Sequence, residues 1–204
     1  MTDTLAAQAR PARMAFHRQE QALMERLARE GQSPYALFIG CSDSRAVPEV
    51  IAGAKPGDIF VTRNIANTVP PAHAGCAAVG AVLEYAVFHL HVPHIIICGH
   101  LDCGGIKALD SRLDAGREVH IARWLGYIRP ALAEVASLGL SGEARHRAIV
   151  ETNVRLQLRN LLTYSCVAEA VAAGLALHGW VYDIGSGNLW TYDEATGQFV
   201  GEAE

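Results

Sequence analysis

Two short segments hold the residues of this chain best suited to chemistry. Cys41-Ser42-Asp43-Ser44-Arg45 and His100-Leu101-Asp102-Cys103 each follow a run of strand-like apolar residues. Together they offer two thiolates and one imidazole, the soft and borderline ligands that Zn²⁺ favours. Three protein ligands leave a tetrahedral ion one open position, and that open position separates a catalytic zinc from a structural one. The pattern therefore predicts one Zn²⁺ per chain on Cys41, His100 and Cys103, in an enzyme.

Each of these residues has an ordinary reading when taken singly. A cysteine after an apolar strand is usually a small buried hydrophobe, and that reading stands for Cys76, Cys98 and Cys166, which have no neighbouring ligand type. An Asp-x-Arg pair is usually a surface ion pair. Two residues from a thiolate ligand, Asp43 and Arg45 instead suit a pair that orients whatever occupies the metal's open position. The other eight histidines, His17, His73, His89, His91, His94, His120, His146 and His178, are not at ligand spacing. The two glycines after Cys103 let the backbone turn tightly and open a helix whose N-terminus favours a thiolate.

The elements that must position these side chains can be read from periodicity and punctuation. Residues 4–30 carry apolar residues at mixed helical spacing and read as a helical arm broken near Pro11 and ended by Gly31. Tyr35–Gly40 is a short continuous apolar run, suited to a strand buried on both faces, with Cys41 at its C-terminal end. A turn at Pro56-Gly57-Asp58 leads to a second strand over Ile59–Thr62. Residues 72–91 read as about five turns of helix between Pro71 and Pro93. His94–His100 is the strongest strand signal and delivers His100 and Cys103 to its end. Residues 103–174 read as several helices, His178–Ile184 as a strand, and Gly185–Asn188 as a turn into an antiparallel strand at Leu189–Tyr192. The expected fold is α/β, with a mainly parallel central sheet, an antiparallel edge strand, flanking helices and the N-terminal helical arm. We divide it into an arm at 1–33 and a zinc-binding catalytic domain at 34–204, one domain overall. Ligands in such sheets gather at the carboxyl ends of strands, where Cys41 and His100 fall.

Composition narrows the partners. The chain has 204 residues, half of them hydrophobic, enough for a substantial core. A net charge of −4 without a basic run offers no footprint for nucleic acid, so the expected substrate is small. Five cysteines, an odd number, argue against a disulfide framework, and the first 30 residues lack the continuous apolar stretch of a secretory signal. With no run of roughly 20 apolar residues, no membrane span is expected. The expected location is cytoplasmic.

These motifs resemble a known family. CSDSR followed by GHxxCGG is similar to the β-class carbonic anhydrases, and GQSPYALFIGCSDSR, PGDIFVTRNIANTVPP, LEYAVFHL, HIIICGHLDCGGIKAL, LRNLLTY and HGWVYDIGSG extend the likeness over most of the chain, nearest to the plant-type subgroup. The resemblance implies reversible hydration of CO₂ to bicarbonate and a proton, a four-stranded parallel core, and an arm embracing a second subunit in a homodimer or higher even oligomer. It implies Gln32 as a donor to a substrate oxygen, with Phe60, Ile65 and Tyr85 as the wall of the CO₂ pocket, Phe60 and Tyr85 reaching across the subunit interface. Hydrolysis of carbon disulfide or carbonyl sulfide on the same chemistry is an alternative, and a zinc-binding scaffold without turnover is another. Intact Asp43, Arg45 and Gln32 argue against the scaffold.

The chain departs from the family pattern in places. Leu101-Asp102 replaces the usual small or polar pair, adding a carboxylate beside a ligand, and Cys166 stands where a Pro is common. Members inhibited by bicarbonate carry a Trp three residues before the first Cys, joined by an Arg and a Tyr. Here Arg63 and Tyr182 match, but the Trp position is Phe38, which has no N–H to donate. Asp43 is accordingly expected to stay paired with Arg45.

Overall fold

A computed structural model describes residues 4–114 and 116–202. The chain divides between Ser33 and Pro34 into two compact units. The first holds helices α1 (Thr4–Gln19) and α2 (Gln21–Glu30). The expected break at Pro11 does not occur: α1 runs through it, and the interruption falls at Glu20, whose backbone (φ −106°, ψ 25°) is not helical. Pro11 forfeits one backbone hydrogen bond, and the Ala- and Arg-rich sequence around it favours helix strongly enough to absorb that.

The second unit is built on a six-stranded sheet. Its strands are β1 (Ala36–Cys41), β2 (Ile59–Asn64), β3 (His94–His100), β4 (Ala176–Tyr182), β5 (Leu189–Asp193) and β6 (Gln198–Gly201). The spatial order is β2-β1-β3-β4-β5-β6, parallel through the first four and antiparallel at β5 and β6. The sheet thus runs one strand beyond the sequence reading. β6 is short and mostly exposed, with no apolar run to announce it.

Side-chain alternation divides the buried residues between the two faces of the sheet. Leu37, Ile39, Cys41, Ile95 and Ile97 point into the larger core, while Ala36, Phe38, Ile59, Ile96 and Cys98 form a smaller one. All six residues of β1 are buried, as the continuous apolar run predicted. Covering elements are the helices α3 (Pro48–Ile51), α4 (Ala77–Glu84), α5 (Gly104–Lys107), α6 (Val119–Gly126), α7 (Arg129–Ala136), α8 (Gly142–Leu161) and α9 (Ser165–Ala172).

The long helix expected over 72–91 is instead three pieces. A 3₁₀ turn at Ala72–Ala74 stops at left-handed Gly75 (φ 65°), α4 follows, and a π-helical turn closes the segment at Tyr85–His89. α8 lies against β3 and β4, an approach permitted by two glycines. A Cβ on Gly99 would sit 2.9 Å from Val154 Cγ2, and one on Gly179 would sit 2.9 Å from Val154 Cγ1.

Candidate metal centre

Strand register explains why residues 41 and 100 meet. Gly40 pairs with Cys98 in parallel, so Cys41 and His100 emerge at the same end of adjacent central strands. His100 is itself the last paired residue of β3, opposite Tyr182. The chain then turns at Asp102, whose φ of 61° is left-handed, and Cys103 stands immediately before α5. Asp tolerates this conformation better than most residues.

The ligand atoms of Cys41, His100 and Cys103 lie within 4.8 Å of one another, and all three residues are buried. Among the described residues they form the one such group of His, Cys, Asp or Glu. The two sulfurs are 3.9 Å apart. The ring of His100 has its orientation fixed: Nδ1 lies 2.8 Å from the Leu101 carbonyl, which can only accept, so Nδ1 carries the proton. Its Nε2 is buried without a hydrogen-bond partner, which leaves a lone pair facing the two sulfurs. Interaction with the Cys103 thiol, opposed by burial and helped by His100 and the Asp43 N–H, holds the Cys41 thiol far below its ordinary value. The hydrogen bond with Cys41, then burial and the Cys41 charge, in turn push the Cys103 thiol up. Two sulfurs competing for one proton beside an orphaned imidazole nitrogen make a donor set that fits a soft divalent ion such as Zn²⁺.

Asp43 and Arg45 stand directly beside this trio. Arg45 grips Asp43 through two parallel bonds, Nε to Oδ1 at 2.9 Å and Nη2 to Oδ2 at 2.7 Å, and its backbone N–H adds a third to Oδ1 at 3.0 Å. Hydrogen bonding from Arg45 holds the Asp43 carboxyl well below the usual carboxylate range. The Oδ2 atom lies 3.9 Å from His100 Nε2.

Arg63 secures the same loop from the other side. Its Nε donates to the Cys41 carbonyl at 2.8 Å, and its Nη2 donates to the carbonyls of Asp43 and Ala46. Phe38 is buried and meets Trp180 edge to face, with ring centroids 6.2 Å apart.

The remaining sequence-predicted residues are distributed unevenly. Phe60 and Tyr85 pack on each other with centroids 5.7 Å apart, and Tyr85 stacks on His89 at 4.9 Å. Ile65 follows β2 directly, and its carbonyl accepts from Trp124 Nε1 at 2.9 Å. Its side chain leaves no room beside Gly105, where a Cβ would come within 2.8 Å of Ile65 Cγ2. Gln32 is exposed and belongs to the N-terminal unit.

Two groups escaped the sequence reading. His94 and His178, on neighbouring strands at the opposite end of the sheet, contact through ring nitrogens 3.1 Å apart. More important for the site, three amides of α8 hold the loop at residues 66–69. Asn153 Nδ2 donates to the Ala66 carbonyl at 3.1 Å, Gln157 Oε1 accepts from the Val69 N–H at 2.8 Å, and Asn160 Nδ2 donates to the Val69 carbonyl at 2.8 Å. Gln157 is fully buried and also donates to Asn153, so the ladder is internally connected. Their i, i+4, i+7 spacing on a helix with apolar residues between was the available signal.

The sequence profile of the family described as carbonic anhydrase matches residues 36–189. A carbonic anhydrase of Pseudomonas aeruginosa is 46% identical over 175 residues, covering 85% of this chain and 80% of the relative. Among solved structures, the β-carbonic anhydrase CcaA superposes with a TM-score of 0.88 at 34% identity, covering 98% of both chains. One of two tetrameric β-carbonic anhydrases from Sordaria macrospora superposes with a TM-score of 0.78 at 36% identity, covering 99% of both. With the matched span running from the first residue of β1 to the first of β5 and so enclosing the trio and the Asp43–Arg45 pair, the chain belongs to the β class of the carbonic anhydrase family.

Proposed function

We propose that this protein catalyses the reversible hydration of CO₂ to bicarbonate and a proton, with one Zn²⁺ per chain held by Cys41, His100 and Cys103. The observation that carries the reading is the buried trio with its unpartnered imidazole nitrogen, set beside a carboxylate that an arginine already grips. Bound there, zinc supplies a Lewis acid that lowers the pKa of water enough to give a nucleophile near neutral pH.

The chain's own residues supply the rest. Asp43 accepts a hydrogen bond from the attacking oxygen and so aims its lone pair at carbon, while Arg45 keeps that carboxylate charged and in place. Gln32 donates an amide N–H to an oxygen of the substrate. Phe60, Ile65 and Tyr85 form a dry apolar wall suited to an uncharged linear molecule, Phe60 and Tyr85 being contributed across a subunit interface. That arrangement requires a homodimer or a higher even oligomer. The exposed Ile65, Tyr85, Phe88 and Val50 offer apolar surface for one.

A reducing, cytoplasmic setting suits the cysteines, all five of which are free. Among the described residues no helix is long and apolar enough to cross a membrane.

Stopped-flow CO₂ hydration with and without a chelator, paired with elemental analysis, tests the proposal. We expect one zinc per chain, lost together with activity when Cys41, His100 or Cys103 is replaced by Ala. An active protein free of metal would sink it.

A further inference from the structure

Arg45 has five N–H groups, and Asp43 takes only one edge of the guanidinium. The other side of the fork donates from Nη1 to Asp102 Oδ2 at 3.0 Å, and Nη2 also approaches the Asp102 carbonyl at 3.5 Å. Asp102 is in turn held by Lys107, whose Nζ donates to Oδ1. Lys107 is the last residue of α5, the short helix that begins just after Cys103, and its own N–H bonds to the Cys103 carbonyl at 3.0 Å.

An unbroken chain of charge-assisted bonds therefore runs Lys107–Asp102–Arg45–Asp43. It ties the loop after β1 to the loop after β3, the two segments that carry the trio. Asp102 also occupies a left-handed backbone position, the kind of conformation that persists where surrounding contacts enforce it and that concentrates at functional sites.

From this geometry we infer that Asp102, braced by Lys107, is a positioning residue for the reaction: it fixes the far edge of Arg45, so that the near edge meets both oxygens of Asp43 in one orientation. The inference rests on the role proposed for Asp43. Without Asp102 the guanidinium keeps its bonds to Asp43 but gains freedom to pivot about them, and the carboxylate pivots with it. Asp102 itself touches neither substrate nor metal; it acts through Arg45.

Asp102→Asn isolates this role, because Asn accepts left-handed backbone as readily as Asp while losing the charge. On zinc-loaded protein labelled with ¹⁵N-arginine, the Arg45 side-chain signals are identified by their loss in Arg45→Lys. Wild type should show slow rotation about the Arg45 Cζ–Nη bonds, and Asp102→Asn should show fast rotation. The same sample should keep its zinc and its melting temperature while kcat/KM for hydration falls about tenfold, the low end of the range for groups that orient residues around a metal. Lys107→Met should give a smaller fall alone and none further in the Asp102→Asn background. Asp110→Asn, which breaks a comparable exposed pair with Arg145, serves as the control and should leave rate and Arg45 signals unchanged. If Arg45 stays as restrained in Asp102→Asn as in wild type, or is freed without any change in rate, the inference is overturned. A wild-type protein that does not hydrate CO₂ overturns the proposed function instead, and the Arg45 signals still decide whether Asp102 braces the side chain.

Discussion

Replacing Asp43 by Asn removes the charge that Arg45 grips at both carboxylate oxygens while leaving the side chain's volume unchanged. Such a variant should retain its zinc yet lose hydration activity by roughly 10²-fold or more, the usual scale for a positioned proton-handling group. Metal content and rate measured on one sample decide it; zinc lost in step with rate would make the residue structural. Acid stability follows from the same kind of pairing. Arg45 lowers the Asp43 carboxyl, Arg145 lowers that of Asp110, and Lys107 with Arg45 brings Asp102 to about 2 from an ordinary 3.8. A carboxylate whose pKa drops on folding adds stability that is present above its unfolded value and lost as pH falls through its folded one. The melting temperature should therefore change little on account of these groups above pH about 4 and fall between about 4 and 2. A fall already complete at pH 5 would contradict the assignment. The clustering of Cys41, His100 and Cys103 was legible in the sequence because soft donor residues after strand-like runs are an uncommon combination. The bond from Arg45 to Asp102 was not, since it joins two loops whose approach only the sheet register determines.

At the scale of elements, the site depends on α8 seated closely over β3 and β4. Gly99→Ala would place a methyl 2.9 Å from Val154 and 3.1 Å from Val150, one residue before His100. The expected cost is about 1–3 kcal/mol from overpacking, read by urea unfolding of the metal-free protein, with zinc affinity falling alongside. Unchanged stability would show that α8 can retreat freely. The opposite face of the sheet bears on regulation. Phe38 packs on Trp180, and the guanidinium of Arg63 is spent on three main-chain carbonyls. A bicarbonate ion at that face would lack the donor that a Trp at position 38 supplies, a loss of roughly 1–3 kcal/mol. Hydration rate should accordingly decline smoothly with falling pH, without cooperative inhibition by added bicarbonate; a steep bicarbonate-dependent loss would refute this. β1 to β5 were readable from apolar runs and Gly/Pro punctuation, whereas the short, mostly exposed β6 was not. The division of residues 72–91 was not, because Gly75 and the π turn interrupt a composition that is helical throughout.

For the whole molecule, the proposed assembly and the proposed activity stand or fall together. Phe60 packs on Tyr85 and, partly buried, against the larger core of its own chain, so their proposed role in a neighbour's pocket has to be tested through the assembly. A protein truncated before Pro34 should sediment as a smaller species and lose hydration activity in parallel, since Gln32 leaves with the N-terminal unit. An active monomer would contradict the shared pocket. The sheet's wiring carries a different consequence, for the order in which the molecule is made. The strands β2, β1 and β3, with Cys41, His100 and Cys103, lie within the stretch from Ala36 to Cys103, whereas β3 cannot find its other neighbour, β4, until α5 to α9 have been strung between them. Pairings that close long loops form late. In a refolding experiment with pulsed hydrogen exchange, the amides shared by β1 and β3 should gain protection before those shared by β3 and β4. The corner that gathers Cys41, His100 and Cys103 would then be half built while the remaining edge of the sheet was still open.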